Sequence, residues 1–334
     1  MDYTFTNFAV GPSNQFAHAA AVAVARAPAA SYNPLFLYGS TGVGKTHLLH
    51  AIMQYITQHH PTWHVVSLPA EHFMRELLHA LHHEQMPAFQ QHYRRADALL
   101  LDDVHLLAGR PQTQEVFLHV FDVLYAAKKQ IVVTSAQGPQ ELVPLATRLR
   151  SRLSAGLVAL LQPPDLETRL AILNQKAVEH GFHLPLEVAL GIAQYVGEHG
   201  DALEQCLTRI AVYASLHARP LDSALAEEVL EQASSEQKRA VTIGRIQQVV
   251  AAHYGVKSGE LRGQQRQRVL AVSRQIAMFL CRELTQASLK EIGRHFGGRS
   301  YTTVLHACTK VAQLAETDDS VASVLQHVRH RLQA

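Results

Sequence analysis

The sequence predicts an α/β domain with a parallel sheet, followed by all-α regions. The first half of the chain contains four continuous apolar runs, which are typical of strands buried on both faces of a parallel sheet. Helical patterns separate these runs, which indicates β-α-β crossovers. After Pro163 and Pro164 only helical patterns follow. The four predicted strands are Leu35–Tyr38, His64–Leu68, Ala98–Leu101 and Ile131–Thr134.

Length and charge favour several domains, one of which meets a polyanion. The 334 residues are 47% hydrophobic and 17% charged, which suffices for packed cores and excludes a disordered chain. The net charge of +2 is unevenly distributed. Residues 241–334 contain 13 Lys and Arg against 6 Asp and Glu, a net of +7, whereas residues 1–240 have a net charge of −5. This asymmetry indicates that the C-terminal region contacts a polyanion.

The cysteines and the N-terminus indicate the compartment. Cys206, Cys281 and Cys308 lie far apart without metal-ligand or redox spacing, which is typical of a reducing environment. Residues Met1–Thr4 lack the basic region of a signal peptide, and no apolar run reaches the length of a membrane span. The 22 histidines occur on polar helical patterns and predict no metal site. We therefore expect a soluble cytoplasmic protein without a transmembrane segment.

The segment after the first predicted strand fits a phosphate-binding loop. Its sequence, GSTGVGKT over Gly39–Thr46, matches G-x-x-x-x-G-K-[ST] and lies directly before a predicted helix over about 45–59. The glycines let backbone N–H groups surround phosphates, Lys45 would contact the β- and γ-phosphates, and the Thr46 hydroxyl would bind Mg²⁺. A chance glycine-rich turn is the alternative. The candidate ATP-binding residues here are Gly39, Gly42, Val43, Gly44, Lys45, Thr46 and His47.

Two adjacent carboxylates follow the third predicted strand. Asp102 and Asp103 would lie at the carboxyl edge of the sheet, where ligands bind in such folds. Asp102 would belong to the ATP site by holding the Mg²⁺ shell, and Asp103 would orient or deprotonate the attacking water as a catalytic residue. Alone, the pair could equally be a solvated turn. Downstream of a phosphate loop, it favours a P-loop ATPase with an additional strand between the two motifs. A helix over about 112–127 and the fourth strand follow.

Beyond Pro164 the patterns predict two helical regions. The first is a small all-α subdomain, and the polar residues 234–239 form a joint that a continuous helix could span. The second, over about 242–334, is all-helical and carries the basic excess. The predicted helices of the first region cover about 165–180, 185–196, 201–218 and 222–233.

The basic region contains a predicted helix-turn-helix. Ser288 and Glu291 form a capping-box pattern at the start of a helix with Ile292 and Phe296 on its inner face, and Gly297-Gly298 ends it. A second helix is predicted over about Ser300–Val311, with Val304, Leu305 and Cys308 as its buried positions. Such an arrangement is typical of DNA-binding proteins, although a plain helical hairpin is the alternative.

In a helix-turn-helix the N-terminus of the second helix enters the major groove. Arg299, Ser300, Tyr301, Thr302 and Thr303 are therefore candidates for base edges and nearby phosphates. Lys290, Arg294 and Lys310 suit phosphate contacts. Double-stranded DNA is the predicted partner, and an acidic phospholipid surface is a further predicted contact.

At this point the chain resembles the DnaA family, the bacterial chromosomal replication initiators among the AAA+ ATPases. The matching runs are 5–14, 32–36, 39–52, 102–109, 163–169 and 297–307. Residues 5–14 resemble the adenine-side segment of the family. The resemblance implies an AAA+ P-loop core over 1–163, a helical lid over 164–233 and a helical DNA-binding domain over 234–334, with the helix-turn-helix at about 288–311. The chain starts at the ATPase module, without the family's N-terminal helicase-loading region and linker.

The resemblance also implies roles for particular arginines. Arg152 lies where the family has its arginine finger, which reaches ATP bound to a neighbour, and Arg148 matches a second arginine of that junction. ATP or ADP with Mg²⁺ would then control self-assembly into an oligomer or filament. An exposed arginine on a short helix is the alternative for Arg152. Arg274 lies in a further matching segment, Ala271–Met278, and is implied to bind DNA.

The ATPase region departs from the family pattern in three places. Asp201 stands for the sensor-2 arginine, and an acid there would repel the γ-phosphate. Ala136 stands for the sensor-1 aspartate, and Gln90-Gln91 stand for basic residues before Tyr93. We expect ATP binding to persist, with weak or no hydrolysis, impaired ATP-ordered assembly and weaker single-strand binding.

The DNA-binding region departs as well. Ser300 and Tyr301 stand for Asp and His, and Val272 stands for a minor-groove arginine. The preceding basic loop is reduced to Arg262, Arg266 and Arg268. Weaker or altered recognition of the family's usual origin box is the expected result.

Two functions fit this pattern. One is an ATP-dependent initiator that recognises origin duplex DNA and assembles through nucleotide-bridged subunits. The other is a divergent, non-initiating regulator of replication or transcription that binds DNA but assembles poorly. The basic helix-turn-helix disfavours a third class, an ATPase without DNA-binding activity.

Overall fold

The computed structural model describes residues 3–30, 32–197, 200–239, 242–263, 265 and 267–333. The chain forms two compact units, Met1–Leu230 and Glu231–Ala334. Each unit has its own hydrophobic core.

A five-stranded parallel sheet organises the first unit. Its strand order is β2-β3-β4-β1-β5, so β4 lies between β1 and β3. This order places the carboxyl ends of β1, β3 and β4 side by side at one edge. The strands are β1 (Leu35–Tyr38), β2 (Val65–Pro69), β3 (Ala98–Asp102), β4 (Gln130–Ser135) and β5 (Leu157–Leu160).

The structure confirms the four predicted strands and adds a fifth. β5 pairs with β1 at the edge of the sheet, and three of its four residues are not buried. The sequence pattern missed it because an edge strand does not need the continuous apolar run of a central strand. By contrast, all six residues of β4 are buried.

Helices cover both faces of the sheet. Successive strand residues point to opposite faces, so Leu35 and Leu37 pack in one cluster with α1 and α2, whereas Phe36 packs in another with α3, α4 and α5. A short 3-10 helix, Val104–Leu107, follows β3. The helices are α1 (Gln15–Arg26), α2 (Lys45–His59), α3 (Ala70–His82), α4 (Met86–Arg94), α5 (Pro111–Ala126) and α6 (Thr147–Leu153).

Four further helices, called the lid below, follow the sheet. Asp165 caps the first of them by accepting a hydrogen bond from the N–H of Thr168 at 2.8 Å. Leucine, isoleucine, valine and alanine side chains of these helices form a separate apolar cluster. The last helix continues through residue 239, so the polar joint is helical, as one of the sequence-based alternatives had it. The helices are α7 (Leu166–Glu179), α8 (Leu186–Val196), α9 (Gly200–Leu216) and α10 (Ser223–Arg239).

The second unit packs five helices around one apolar core. A 3-10 helix, Ser258–Arg262, precedes α12. The predicted helix-turn-helix is formed by α13 and α14, and Ser288 caps α13 by accepting from the N–H of Glu291 at 3.2 Å. The helices are α11 (Ile243–Tyr254), α12 (Arg268–Leu284), α13 (Leu289–His295), α14 (Tyr301–Thr317) and α15 (Asp319–Gln333).

Not all predicted core positions of the second unit are correct. Ile292, Phe296 and Val304 are fully buried, as predicted, but Leu305 is 48% exposed and Cys308 is only half-buried. Ala307 is buried instead. Helical periodicity explains the correction, because Ala307 follows Val304 by three residues and shares its face, whereas Leu305 turns toward solvent.

A buried glutamine ties the loop after β3 to the start of α6. The side-chain amide of Gln114 donates to the carbonyls of Leu107 at 2.9 Å and Pro144 at 3.2 Å, and its oxygen accepts from the N–H of Ala146 at 2.7 Å. Ala146 is the residue directly before α6. Gln114 thus fixes the helix that carries Arg152 relative to the acids at the end of β3.

Replacing Gln114 by leucine should lower the free energy of unfolding of the first unit by about 1–2 kcal/mol, because three hydrogen bonds are lost at a buried position. Urea unfolding followed by the fluorescence of Trp63, the single tryptophan, measures this change. Gln112→Leu is the matched control, because Gln112 is exposed on the same helix and should change stability by less than about 0.5 kcal/mol. Equal effects of the two variants would contradict the role of Gln114.

Candidate nucleotide site and nucleic-acid interface

The phosphate loop connects β1 to α2, as predicted. Gly44 precedes α2 with a φ of 100°, a conformation that favours glycine. A Cβ atom at this position would also lie 2.8 Å from Cε2 of Phe8. Gly44 therefore satisfies two requirements at once, a left-handed backbone and close packing of the aromatic ring on the loop.

Lys45 lies inside this loop. Only 7% of its surface is exposed, and its ammonium donates to the carbonyls of Gly39 at 2.9 Å and Ser40 at 2.7 Å. Burial lowers the pKa of Lys45, and the negative charges of Asp103 and Asp102 partly oppose this shift. The ammonium is thus held at the position where the loop would surround phosphate groups.

The acids at the end of β3 meet the loop. Asp102 Oδ2 accepts from the Thr46 hydroxyl at 2.8 Å, and Asp102 Oδ1 accepts a short hydrogen bond from the Thr134 hydroxyl. The Thr134 oxygen in turn accepts from the N–H of Asp103 at 2.9 Å. Hydroxyl and carboxylate oxygens are the hard ligands that Mg²⁺ prefers, with phosphate and water completing its shell, so Thr46 and Asp102 fit this ion. The described residues contain no group of three or more His, Cys, Asp or Glu side chains suited to a metal.

Asp103 has the features of a group that acts on water. Its φ of 57° places it in a left-handed turn that directs the carboxylate away from the strand. Burial, and next the charge of Asp102, raise the pKa of Asp103, which makes it a stronger base than an ordinary aspartate. His105 Nδ1 lies 3.8 Å from Asp103 Oδ1, but it accepts from the N–H of Ala136 at 3.3 Å.

A cavity of about 360 Å³ lies between the phosphate loop and the lid. One end of it is aromatic: His47 lies 4.9 Å from the ring of Tyr3 and 5.0 Å from the ring of Phe8. Its Nε2 is 2.8 Å from the carbonyl oxygen of Thr4, and burial lowers the pKa of His47. The other end contains Asp103 and the loop. The lining residues include Tyr3, Asn7, Phe8, Asn14, Thr41, Gly42, Val43, Gly44, Lys45, Thr46, His47, Asp103, His105, Ala136, Ile172, Gln175, Lys176 and Glu204.

The structure brings most predicted ATP-site residues together around this cavity. Sequence patterns missed Tyr3 and the lid residues Ile172, Gln175, Lys176 and Glu204. No motif marks these lid positions, because they lie more than 120 residues after the loop. The sequence contains one signal for the residues on α7. Gln175 and Lys176 follow Ile172 by three and four residues, so these three side chains share one helical face.

Two departures from the family pattern fall at this site. Ala136 lines the cavity and offers a methyl group where a carboxylate is expected. The side chain of Asp201 lies outside the described part of the structure.

Arg152 lies on α6, away from the cavity of its own chain. Its side chain is 47% exposed, and its Nε forms an ion pair with Asp122 Oδ1 at 2.8 Å. Arg148 is exposed on the same helix. Both arginines are therefore presented on the surface of the first unit.

The second unit presents the predicted DNA-binding residues on the N-terminal part of α14. Ser300 caps this helix by accepting from the N–H of Thr303 at 3.3 Å, and Tyr301 is 59% exposed. Thr302 and Thr303 are exposed, and they line a shallow groove together with His306. His306 was not predicted, although it follows Thr302 by one helical turn. Lys290 and Arg294, on α13, and Lys310, further along α14, are exposed cations close to this region in the sequence.

Arg274 makes many contacts within the second unit. It is 8% exposed, and its guanidinium donates to the carbonyls of Leu261 at 2.8 Å, Gly263 at 3.1 Å and Glu260 at 3.2 Å, with further bonds to Gln265. These bonds hold the loop between the 3-10 helix and α12. Arg274 also lines the groove of Thr302, Thr303 and His306, so its contact with DNA stays a prediction.

Arg299 and Gly297 complete this arrangement. Arg299 also donates to the Gly263 carbonyl, at 2.9 Å, so the loop is joined to the start of α14. Gly297 has a φ of 80°, and a Cβ atom there would collide with the carbonyl oxygen of Arg262. The turn of the helix-turn-helix and the basic loop are therefore packed directly on each other.

Fold and site together define a class of protein. The first unit has a parallel sheet with a phosphate loop after β1, acids at the end of β3, β4 between these two strands, and a helical lid beside the cavity. These features define a P-loop nucleotide-binding domain of the AAA+ type. The second unit adds a helix-turn-helix domain. None of the helices in the described part of the chain is long and apolar enough to cross a membrane.

Comparison with known proteins identifies the family. Residues 1–160 match the family described as "Bacterial DnaA ATPAse domain", and residues 243–311 match "Bacterial dnaA protein helix-turn-helix". The chain is 46% identical to the chromosomal replication initiator protein DnaA of Symbiobacterium thermophilum, over 99% of this chain and 73% of that protein. The chain belongs to the DnaA family of chromosomal replication initiators.

Solved structures agree with this assignment. The crystal structure of domain III of the Thermotoga maritima replication initiation protein DnaA is 38% identical, with a TM-score of 0.67, and covers 69% of this chain and 96% of its own. A replication initiator DnaA bound to AMPPCP and single-stranded DNA is 29% identical, with a TM-score of 0.61, over 99% of this chain and 98% of its own.

Removing the guanidinium of Arg274 should loosen the second unit. Arg274→Met is expected to destabilise this unit by about 2–3 kcal/mol, because a nearly buried charged donor and the bonds to four carbonyls are lost. Hydrogen exchange of the amides in residues 258–263 and in α12 measures the change. Arg268→Met is the matched control, since Arg268 is exposed at the start of the same helix. Unchanged exchange in Arg274→Met would show that the loop does not depend on this side chain.

Proposed function

We propose that this protein is an ATP-dependent DNA-binding protein that recognises origin duplex DNA and assembles through subunits bridged by nucleotide. The observation that carries the proposal is the hydrogen bond between Thr46 and Asp102 beside a buried Lys45. It preforms the Mg²⁺ and phosphate site of a P-loop ATPase. The relative that was solved with AMPPCP supports nucleotide binding in this family.

In the proposed nucleotide complex the phosphates lie at the N-terminus of α2. Backbone N–H groups from Gly42 to Thr46 surround them, and Lys45 exchanges its carbonyl partners for phosphate oxygens. Thr46 and Asp102 would hold Mg²⁺, which would supply charge neutralisation at the γ-phosphate. Asp103 orients the attacking water, and its raised pKa suits the acceptance of a proton.

Assembly depends on Arg152. Its position on the surface of the first unit lets it reach ATP in a neighbouring subunit, where a cation contributes to transition-state stabilisation and makes the assembly sensitive to the nucleotide. In the isolated chain Asp122 holds the side chain in place. The ion pair is half-exposed, so it contributes little to stability and does not prevent Arg152 from exchanging partners.

The DNA contacts are assigned to the start of α14. Tyr301, Thr302 and Thr303 offer exposed groups for base edges, together with His306, while Ser300 combines this role with capping. Arg299, Lys290, Arg294 and Lys310 bind phosphates and position the helix. No observation on the described residues supports a contact with acidic phospholipids, and it forms no part of the proposal.

A second candidate is a non-initiating regulator with weak or no ATP hydrolysis. The observation that favours it is Ala136, which lines the cavity without the carboxylate that the family pattern places there. Such a protein would bind ATP and DNA but would not convert the bound ATP into an ordered assembly.

Assembly on DNA distinguishes the two candidates. Selection of duplexes from a random pool, with ATP or ADP present, first supplies a binding site. Sedimentation on that duplex should then show larger complexes with ATP than with ADP. Arg152→Ala should abolish this difference while ATP still binds, and Arg26→Ala, an exposed arginine on α1, should not. Equal complexes with both nucleotides would favour the regulator, and selection that enriches no sequence would exclude an origin-specific protein.

Restoring the family's residues at the start of α14 should change the DNA specificity. The double variant Ser300→Asp and Tyr301→His is expected to bind the family's usual origin box at least tenfold more tightly, since one restored base contact contributes about 1–3 kcal/mol. Aspartate also caps helices well, so α14 should stay intact. Fluorescence anisotropy with the box and a single-base variant measures the effect. Gln313→His, exposed later on the same helix, is the control. Full affinity of the unmodified chain for the box would contradict this prediction.

A further inference from the structure

One lid cation lies in the nucleotide cavity without an assigned role. Among the described lining residues, Lys176 is the only lysine or arginine that the lid contributes. Its side chain is 14% exposed, and its ammonium lies 3.1 Å from Glu179 Oε2 and 3.6 Å from Glu204 Oε2. A long cationic side chain on a surface helix normally extends into solvent, whereas this one is held beside the cavity by two carboxylates.

The same cluster joins the lid to the N-terminal segment. The other oxygen of Glu179 accepts from the side-chain amide of Asn7 at 3.4 Å, and Asn7 also lines the cavity. Glu204 lines the cavity as well, so its negative charge would face a bound nucleotide. Lys176 is placed to neutralise that charge.

The position of Lys176 along the cavity decides which part of a nucleotide it can meet. Asp102 and Asp103 mark the γ-phosphate end, and Tyr3, Phe8 and His47 mark the aromatic end. Lys176 pairs with Glu179, and Glu179 accepts from Asn7, which lies in the same N-terminal segment as Tyr3 and Phe8. Lys176 thus lies beside this segment, toward the aromatic end of the cavity.

We propose that Lys176 binds the α-phosphate or ribose of the nucleotide and masks Glu204, so that the lid clamps ATP and ADP equally. This inference rests on the proposed nucleotide binding and concerns the same site. It predicts a lid contact that is insensitive to the γ-phosphate and is therefore retained when ATP becomes ADP. Nucleotide affinity then depends on a cation from α7.

Calorimetric titration of the full chain with Mg·ATP and with Mg·ADP tests the inference. Lys176→Met should weaken both nucleotides by about tenfold, the loss expected for one charge-assisted hydrogen bond of about 1.4 kcal/mol, with the ATP/ADP ratio unchanged. Adding Glu204→Gln to Lys176→Met should recover part of the loss, because the uncompensated carboxylate is removed. Arg219→Met is the control: it removes another lid cation, one that pairs with Glu228 and lies outside the cavity lining.

Three outcomes overturn the inference. Unchanged affinity in Lys176→Met would show that the cluster only stabilises the lid, and weakening of ATP alone would place Lys176 at the γ-phosphate. If Lys176→Met does not fold, Glu204→Gln is the deciding variant. It should increase the affinity for both nucleotides by about twofold to fivefold. Unchanged affinity in Glu204→Gln would contradict the role of Lys176. An unmodified chain that binds neither nucleotide would instead overturn the proposed function itself.

Discussion

The carboxylate of Asp102 is the point at which three strands of the sheet are joined. It lies at the end of β3 and accepts hydrogen bonds from Thr46, which follows β1, and from Thr134 in β4. This is possible only because β4 lies between β1 and β3, so that their carboxyl ends meet at one edge. The N–H of Asp103 completes the arrangement through Thr134, and the loop with Lys45 closes over it. This convergence positions Thr46, Asp102 and Asp103 relative to one another.

Much of this arrangement could be predicted from the sequence, because its determinants are local. The phosphate loop is a contiguous motif whose glycines and Lys45 have defined backbone and chemical requirements, and the central strands consist of continuous apolar runs. The helix-turn-helix has its cap at Ser288 and its glycine turn within a few residues. The structure confirms the strands and helices that these local sequence patterns predicted.

The features that were missed depend on contacts between distant residues. Arg274 has the sequence context of a DNA-binding arginine, and only the folded loop shows that its donors are taken by backbone carbonyls. Lys176 lies on an ordinary amphipathic helix, and only the folded structure shows that it lines the cavity. Leu305 was expected to be buried, but Val304 and Ala307 form the buried face of α14 and Leu305 is exposed. In each case the helix was predicted from the sequence, whereas the contacts of the side chain were not.

The site separates the groups that hold a nucleotide from the groups that act on its γ-phosphate. The phosphate loop and the aromatic end line the cavity with their own side chains, and Ala136 removes none of these groups, although it contributes no carboxylate. Loss of a polar group near the γ-phosphate affects the transition state, where charge develops, far more than the ground state in which the loop and Lys45 already neutralise the phosphates. Under the proposed function, the change at Ala136 would therefore slow hydrolysis more than it weakens the binding of ATP. If Arg152 contacts a neighbour's ATP, as the proposed initiator function requires, slow hydrolysis would prolong the ATP-bound state and the assembly. In the alternative function, the bound ATP would produce no ordered assembly.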